Sequence, residues 1–432
     1  MLLLVSASAT AQLGPKTSSV LAKLIEESDI FDKSFTGFVL FDPETETYLY
    51  ERFADNHFTP ASNTKIFTFY TAMQVLGDSL PALRYVVTGD SLIFWGTGNP
   101  LFLHPDFEQD TAVLAFLKSR KEKLFFSGHN FRDEPYGPGW SWDDYNSSYQ
   151  PERSPFPMYG NMVHFKRDDL RDGFSASPSY FNDKIVFNSN LDLPRPRLVR
   201  HYDENIFEYN PRALTGLPFE EELFFRYRPQ LIADLLSDTL GVEVGVADLN
   251  RVRPSAAFTI NRPLPDTLYQ RLMQDSDNFI AEQLLLVCSE KLYGTQRAED
   301  AIEYAQKHIF DDAPANLEWE DGSGLSRYNL FTPRTVTYVL DKIYEELPEE
   351  RRVRIFPNGG KSGTIERWYA GDEPYVFAKT GTLSNVHCLS GFIKTKNGKT
   401  LIFSFMHNNY TFPSSVIKRE MQKVLEWIRD NA

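Results

Sequence analysis

Cysteine is almost absent. Cys288 and Cys388 are the only two in 432 residues, which excludes a disulfide scaffold, and neither stands with histidine at a spacing that would hold zinc. Each lies in an apolar run, so buried thiols are the expectation, with a single bridge left open for an exported chain. Long apolar runs are also missing. No stretch reaches the roughly 18 residues of a membrane-crossing helix, so no transmembrane segment is expected. Positive charge is in short supply, with 45 Lys and Arg against 59 Asp and Glu and a net charge of −14. That balance speaks against binding nucleic acid or an anionic membrane through bulk charge. Internal repeats and low-complexity tracts are lacking, and 42% hydrophobic with 24% charged residues is the composition of a folded chain. The length allows two or three domains. No pattern asks for a metal or an organic cofactor.

The first residues, Met1-Leu2-Leu3-Leu4-Val5-Ser6-Ala7-Ser8-Ala9-Thr10-Ala11, resemble the end of a secretory signal peptide cut after Ala11. The apolar run is short and lacks a charged lead, which implies a start further upstream. No cysteine follows it to carry a lipid. Residues 1–11 are therefore expected to be a signal remnant, and the protein to be exported, periplasmic or associated with the cell envelope.

The chain is organised around Thr59-Pro60-Ala61-Ser62-Asn63-Thr64-Lys65-Ile66-Phe67. Ile66, Phe69, Tyr70, Met73 and Leu76 fall at helical spacing, and Pro60 before and Gly77 after are start and stop signals. Ser62 and Lys65, three apart, share one face of the first turn. A hydroxyl, a primary amine and the positive end of a helix stand together. A serine hydroxyl is a weak nucleophile until a base takes its proton. Lysine is such a base only when its pKa falls from about 10.4 toward neutrality, as burial, a neighbouring cation or a helix N-terminus would make it do. Ser-x-x-Lys alone is weak: roughly one or two matches arise by chance in a chain of this size, a second occurs at Ser415–Lys418, and a plain helix cap would explain Ser62 as well.

The rest of the chain alternates readable elements. Ser18–Glu27 patterns as an amphipathic helix. Gly37–Phe41 and Thr47–Tyr50 pattern as a hairpin, and Tyr85–Val87 and Ser91–Trp95 as strands. Residues 81–255 are aromatic-rich, turn-rich and strand-like, which predicts one or two β-rich lobes inserted between 12–80 and 256–432. Helical pattern returns at Leu264–Met273, Asn278–Tyr293 and Thr332–Glu346. Strands are expected at Pro374–Ala378, Leu389–Lys394 and Leu401–Met406, and a closing helix at Ser415–Arg429. Helices at both ends with antiparallel strands predict an α/β sandwich, an antiparallel sheet flanked by helices, carrying the insertion.

Three short patterns follow in one order: Ser62-x-x-Lys65, Ser276-x-Asn278 and Lys379-Thr380-Gly381. Together they form the motif set of β-lactamases and penicillin-binding proteins. Lys361-Ser362-Gly363 also fits the third pattern, but it follows a loop, whereas Lys379 ends a strand-forming run. The sequence resembles the class C low-molecular-mass penicillin-binding proteins, the D-Ala-D-Ala carboxypeptidase/endopeptidase family, over nearly its whole mature length. Pro60–Lys65, Ser276–Asn278, the loop Asp321–Arg327 and Lys379–Leu383 carry the likeness. It implies a β-lactamase/penicillin-binding fold interrupted by inserted domains, and cleavage of peptidoglycan stem peptides ending in D-Ala-D-Ala through an acyl-enzyme, with β-lactams as covalent inhibitors. On matching positions it makes Ser62 the nucleophile and Lys65 the base. Ser276, Asn278 and Lys379 complete the proton network, with Lys379 also helping to keep Lys65 neutral. Ser62 and Thr382 N–H groups form the oxyanion hole, and Thr380 and Gly381 border the substrate carboxylate. The segment Gly139–Tyr145 resembles a family segment over the cleft. That likeness puts Asp144 against the amine of a diamino acid with Tyr149 alongside, Arg327 against a carboxylate of the same residue, and Ser384 where some members carry a larger amide. Structural alternatives are an Asx turn for Asp144, a salt bridge for Arg327 and helix capping for Ser276 and Asn278. Two other functions stay open from the residues: a β-lactamase or esterase on the same scaffold, and a non-catalytic wall-binding module. The first is disfavoured because no Glu-x-x-x-Asn stands between the second and third motifs.

Overall fold

The computed structural model describes residues 15–108, 111–167, 174–191, 198–210, 219–249 and 257–432. The expected signal remnant, 1–11, lies outside them. The C-terminal half and residues 35–52 build a five-stranded antiparallel sheet in the order Val376–Leu383, Val386–Lys394, Thr400–Asn408, Phe35–Asp42, Thr47–Arg52. Period-2 alternation assigns its faces. Leu401, Phe403 and Phe405 turn toward Leu21, Ile25, Leu425 and Ile428, on the helices Pro15–Glu26 and Ser414–Asn431. Ile402 and Met406, with Cys388 and Phe392 of the neighbouring strand, turn the other way. They meet the helices Thr64–Leu76, Asn278–Tyr293 and Pro333–Glu346, through Phe67, Ile280, Leu285 and Val336. Cys288 and Cys388 are both buried and free.

The second five-stranded sheet lies between the two parts of the first. Its order is Val244–Val246, Lys123–Phe126, Ser91–Trp95, Ser79–Thr88, Phe258–Pro263. It has its own core, with Leu83, Phe94, Phe126 and Phe156 at its centre, and two three-stranded sheets pack nearby. The expected boundary at 81 falls inside the strand Ser79–Thr88, because that strand pairs with Phe258–Pro263 as the chain returns.

The pattern over 81–255 suggested strands, yet the region also contains the helices Ala112–Lys118 and Pro229–Leu240. The second has Pro at its first position and a left-handed Gly241 after it, and Leu231, Ile232, Leu235 and Leu236 fall on its buried face. These are ordinary helix signals, masked by the surrounding aromatics. Ala298–His308 and Glu349–Ile355 are further helices not anticipated from the pattern. No helix among the described residues is long and apolar enough to cross a membrane.

Candidate active site

Ser62 does not sit in the α-helix itself. It occupies a 3-10 turn, Ala61–Asn63, that leads into the helix Thr64–Leu76. Lys65 follows in the first turn of that helix, so the two side chains, three apart, share one face. Lys65 Nζ lies 3.1 Å from Ser62 Oγ. The same nitrogen is 2.5 Å from Asn278 Oδ1 and 2.6 Å from the Ser323 carbonyl. In the uncharged form of the amine, these two acceptors would use both of its N–H bonds and leave the lone pair facing Ser62. Lys65 is fully buried. Burial pulls its pKa down to about 8, against the opposing pull of Asp321, Glu282 and Asp277.

The second motif divides its labour between three adjacent residues. Ser276 adopts a left-handed conformation (φ 60°, ψ 39°) at the end of the turn Arg271–Asp275. Asp277, not Ser276 or Asn278, caps the helix that follows, accepting from the Ile280 N–H at 3.0 Å. The flanking side chains are thereby released. Ser276 Oγ accepts from Lys379 Nζ at 2.7 Å, while Asn278 reaches Lys65 and donates from Nδ2 to the Tyr149 carbonyl at 2.6 Å. Lys379 also donates to the Thr380 carbonyl at 2.8 Å. It is fully buried, and its pKa is driven well below the usual lysine value by burial first and by Lys65 second. Burial is the first cause at both amines, and the repulsion between them, being mutual, disfavours a proton on either.

The strand Val376–Leu383 is held close to the nucleophile turn. Asn63 Nδ2 donates to the Lys379 carbonyl at 2.8 Å, and Ser390 Oγ donates back to Asn63 Oδ1 at 2.7 Å. Gly381 makes the approach possible. A Cβ there would come within 2.4 Å of the Pro60 carbonyl oxygen and 3.0 Å of Ser62 N. On the other side, a Cβ on Gly324 (φ 84°) would lie 1.9 Å from the Ala61 carbonyl oxygen. Gly381→Ala is expected to force the strand off the turn, costing about 1–3 kcal/mol of stability. The expected rate of penicillin acylation falls at least tenfold; thermal melting and timed labelling check both.

The remaining expected residues surround this cluster. Thr380 Oγ1 donates to Thr364 Oγ1 at 2.7 Å, on the loop that follows the rejected Lys361-Ser362-Gly363 match. Lys361 itself is exposed. Lys418, of the other spare match, packs over the Trp368 ring. Thr382 Oγ1 lies 3.0 Å from His387 Nδ1, an imidazole that burial holds uncharged by lowering its pKa to about 3. Arg327 is exposed and donates to the Ser384 carbonyl at 3.3 Å, so it pairs with backbone rather than with a carboxylate. Asp144 closes the short turn Trp142–Asp144 and faces the Tyr149 hydroxyl, whose pKa is raised by burial first and by the Asp144 contact further down. A groove of about 250 Å³ runs from Ser276 and Asn278 past Tyr149 to Glu222 and His104.

Several site residues carried no motif. Ser323 supplies a carbonyl to Lys65 from the glycine-bearing loop. Asp321 accepts from the N–H groups of Gly324 and Ser326, from Asn329 Nδ2 and, across from the insertion, from Trp140 Nε1 at 2.8 Å. Glu282 and Arg153 form a buried ion pair beside it. The one available hint was Glu282 itself, a charged residue inside the apolar run Phe279–Val287. Among the described residues no group of three or more His, Cys, Asp or Glu is placed to hold a metal.

Residues 17–191 and 229–430 match the D-Ala-D-Ala carboxypeptidase 3 (S13) family. The chain belongs to that family. Its activity is accordingly that of a serine-type D-Ala-D-Ala carboxypeptidase. The D-alanyl-D-alanine carboxypeptidase DacB of Haemophilus influenzae is 27% identical over 394 residues, 81% of this chain and 80% of the relative. The D-alanyl-D-alanine carboxypeptidase of Actinomadura sp. strain R39 is 25% identical over 455 residues, 90% of this chain and 80% of the relative. Among solved structures, penicillin-binding protein 4 (dacB) from Haemophilus influenzae superposes with a TM-score of 0.73 at 21% identity, covering 96% of this chain and 99% of that one. The antiparallel sheet with flanking helices is thus the penicillin-binding fold expected from the family likeness.

Proposed function

We propose that Ser62 attacks the penultimate D-alanyl carbonyl of a peptidoglycan stem peptide, with Lys65 as its base. The observation that carries this is the pairing of Lys65 Nζ with Ser62 Oγ at 3.1 Å while Asn278 and Ser323 occupy the amine's N–H bonds. The Ser62 and Thr382 N–H groups stabilise the tetrahedral oxyanion, each worth about 3–4 kcal/mol in the transition state. The proton that Lys65 takes from Ser62 is returned to the leaving amine, and the Ser276 hydroxyl, held by Lys379, supports a relay for it. Thr380 and Gly381 flank the terminal carboxylate of the substrate. Asp144 and Tyr149 meet the amine of the diamino acid, and Arg327 with Ser384 meets its carboxylate once Arg327 swings from the backbone it now touches.

Slow release of a penicilloyl group follows from the same surroundings. A lactamase needs a free base for the deacylating water. The three carboxylates that act on Lys65 are all engaged, Glu282 by Arg153 and the Ser323 N–H, Asp321 by four donors, and Asp277 by the Ile280 N–H and Arg271. The insertion expected over 81–255 is the lobe that covers the cleft, a reading supported by the contact of Trp140 with Asp321. Since the substrate is a wall peptide, the protein works in the periplasm or cell envelope.

The test is digestion of isolated cross-linked peptidoglycan fragments, with product masses read alongside the lifetime of the penicillin adduct. D-alanine release with an adduct lasting hours supports a carboxypeptidase, and loss of cross-links adds endopeptidase activity. Turnover of the adduct in milliseconds would make the protein a lactamase. Stem-peptide binding with no cleavage would make it a wall-binding module.

A further inference from the structure

The insertion touches the catalytic centre through one buried side chain that no motif contains, Arg153, and through the half-buried Trp140. Arg153 donates from Nε and Nη2 to Glu282 Oε2 at 3.0 and 2.7 Å, and from Nη1 to Asp133 at 2.9 Å. Arg153 is 2% exposed and Glu282 1%. Glu282 sits one turn beyond Asn278 on the same helix face. Its second oxygen accepts from the Ser323 N–H at 2.7 Å, and the Ser323 carbonyl is the group that holds Lys65 Nζ. The next N–H, that of Gly324, goes to Asp321, which Trp140 of the insertion holds in turn. The loop that carries the Lys65 acceptor is therefore clamped by two carboxylates, each gripped from the inserted lobe.

We propose that Arg153, acting through Glu282, is a positioning residue for Lys65: the inserted lobe fixes the Ser323 carbonyl and the field around the amine. The proposal rests on the assignment of Lys65 as base. Glu282 is well suited to it. Burial raises its carboxyl pKa and Arg153 opposes that, so the ion pair is what keeps a negative charge beside Lys65. The groups facing Lys65 are Asp321, Glu282 and Asp277, which favour its protonated form, and Lys379 across the cleft, which disfavours it.

The sign follows. A negative charge near an amine strengthens its hold on the proton. Glu282→Gln keeps an oxygen for the Ser323 N–H and removes the charge, so the amine becomes free at lower pH. The acylation rate, measured from pH 5 to 10 with a fluorescent penicillin, is expected to rise at about one pH unit lower than in the parent protein. Arg153→Met shifts it the same way, because burial then neutralises Glu282, and the double substitution adds nothing further. Should Glu282→Gln not fold, the double variant, which removes both charges of the pair, carries the same expectation. A profile that keeps its midpoint while the overall rate merely drops would overturn the proposal and leave the pair a structural strut. Lys65→Ala runs beside these variants: if it acylates normally, the assignment of the base fails; if it is inactive and the Glu282→Gln midpoint stays, only the positioning role fails.

Discussion

Ser62→Ala is expected to abolish covalent labelling by a fluorescent penicillin outright and to lower D-alanine release by at least about 10⁴-fold, the scale on which acyl enzymes lose activity without their nucleophile. No neighbouring hydroxyl can substitute. Ser276 Oγ is engaged with Lys379, and Ser323 enters the cluster through its backbone carbonyl. The fold should survive, because Ser62 contributes its side chain to the cluster and not to the turn. The turn's own bonds run from Asn63 N to the Pro60 carbonyl and from Thr64 Oγ1 to the Ala61 carbonyl. An unchanged melting temperature with no labelled band is the expected pair of results. Labelling that persists would move the nucleophile elsewhere.

Lys65→Arg is expected to be nearly as damaging to acylation, by about 10²–10⁴-fold, the usual contribution of a general base. Arginine keeps the positive charge and the hydrogen-bonding capacity but cannot give up its proton at any working pH. The substitution therefore separates a base from a mere cation. A fixed positive charge that only oriented Ser62 would leave most of the rate intact. Single-turnover acylation, read as the second-order rate of adduct formation, distinguishes the two.

What could be read in the chain was local. Ser62-x-x-Lys65, Ser276-x-Asn278 and Lys379-Thr380-Gly381 are each a few residues long; the first two fall where an element starts or ends, and the third lies within the strand Val376–Leu383. Turn chemistry writes element ends directly into the sequence. Strand periodicity likewise gave the main sheet, since Leu401, Phe403 and Phe405 alternate with Ile402 and Met406 between two apolar cores. The helix Pro229–Leu240 was missed because its neighbours are aromatic and turn-rich, although its leucines keep helical spacing. The clamp of Arg153, Glu282 and Asp321 was not legible at all. Its members lie far apart in sequence, and nothing in a run of residues marks which arginine will be buried against which glutamate. The same holds for Asp277: three polar residues in a row gave no sign of which one would cap the helix and which two would be freed for the amines.

The central claim is that Lys65 takes the Ser62 proton as an uncharged amine, and the pH dependence of acylation by the unaltered protein tests it most directly. The amine is active without its proton, so the rate must climb as pH rises through its folded-state pKa. With burial holding that value at about 8, a half-rise near pH 8 is the expected result. A rate that is flat from pH 6 to 10, or that begins to climb only near the ordinary lysine value of about 10.4, would contradict it.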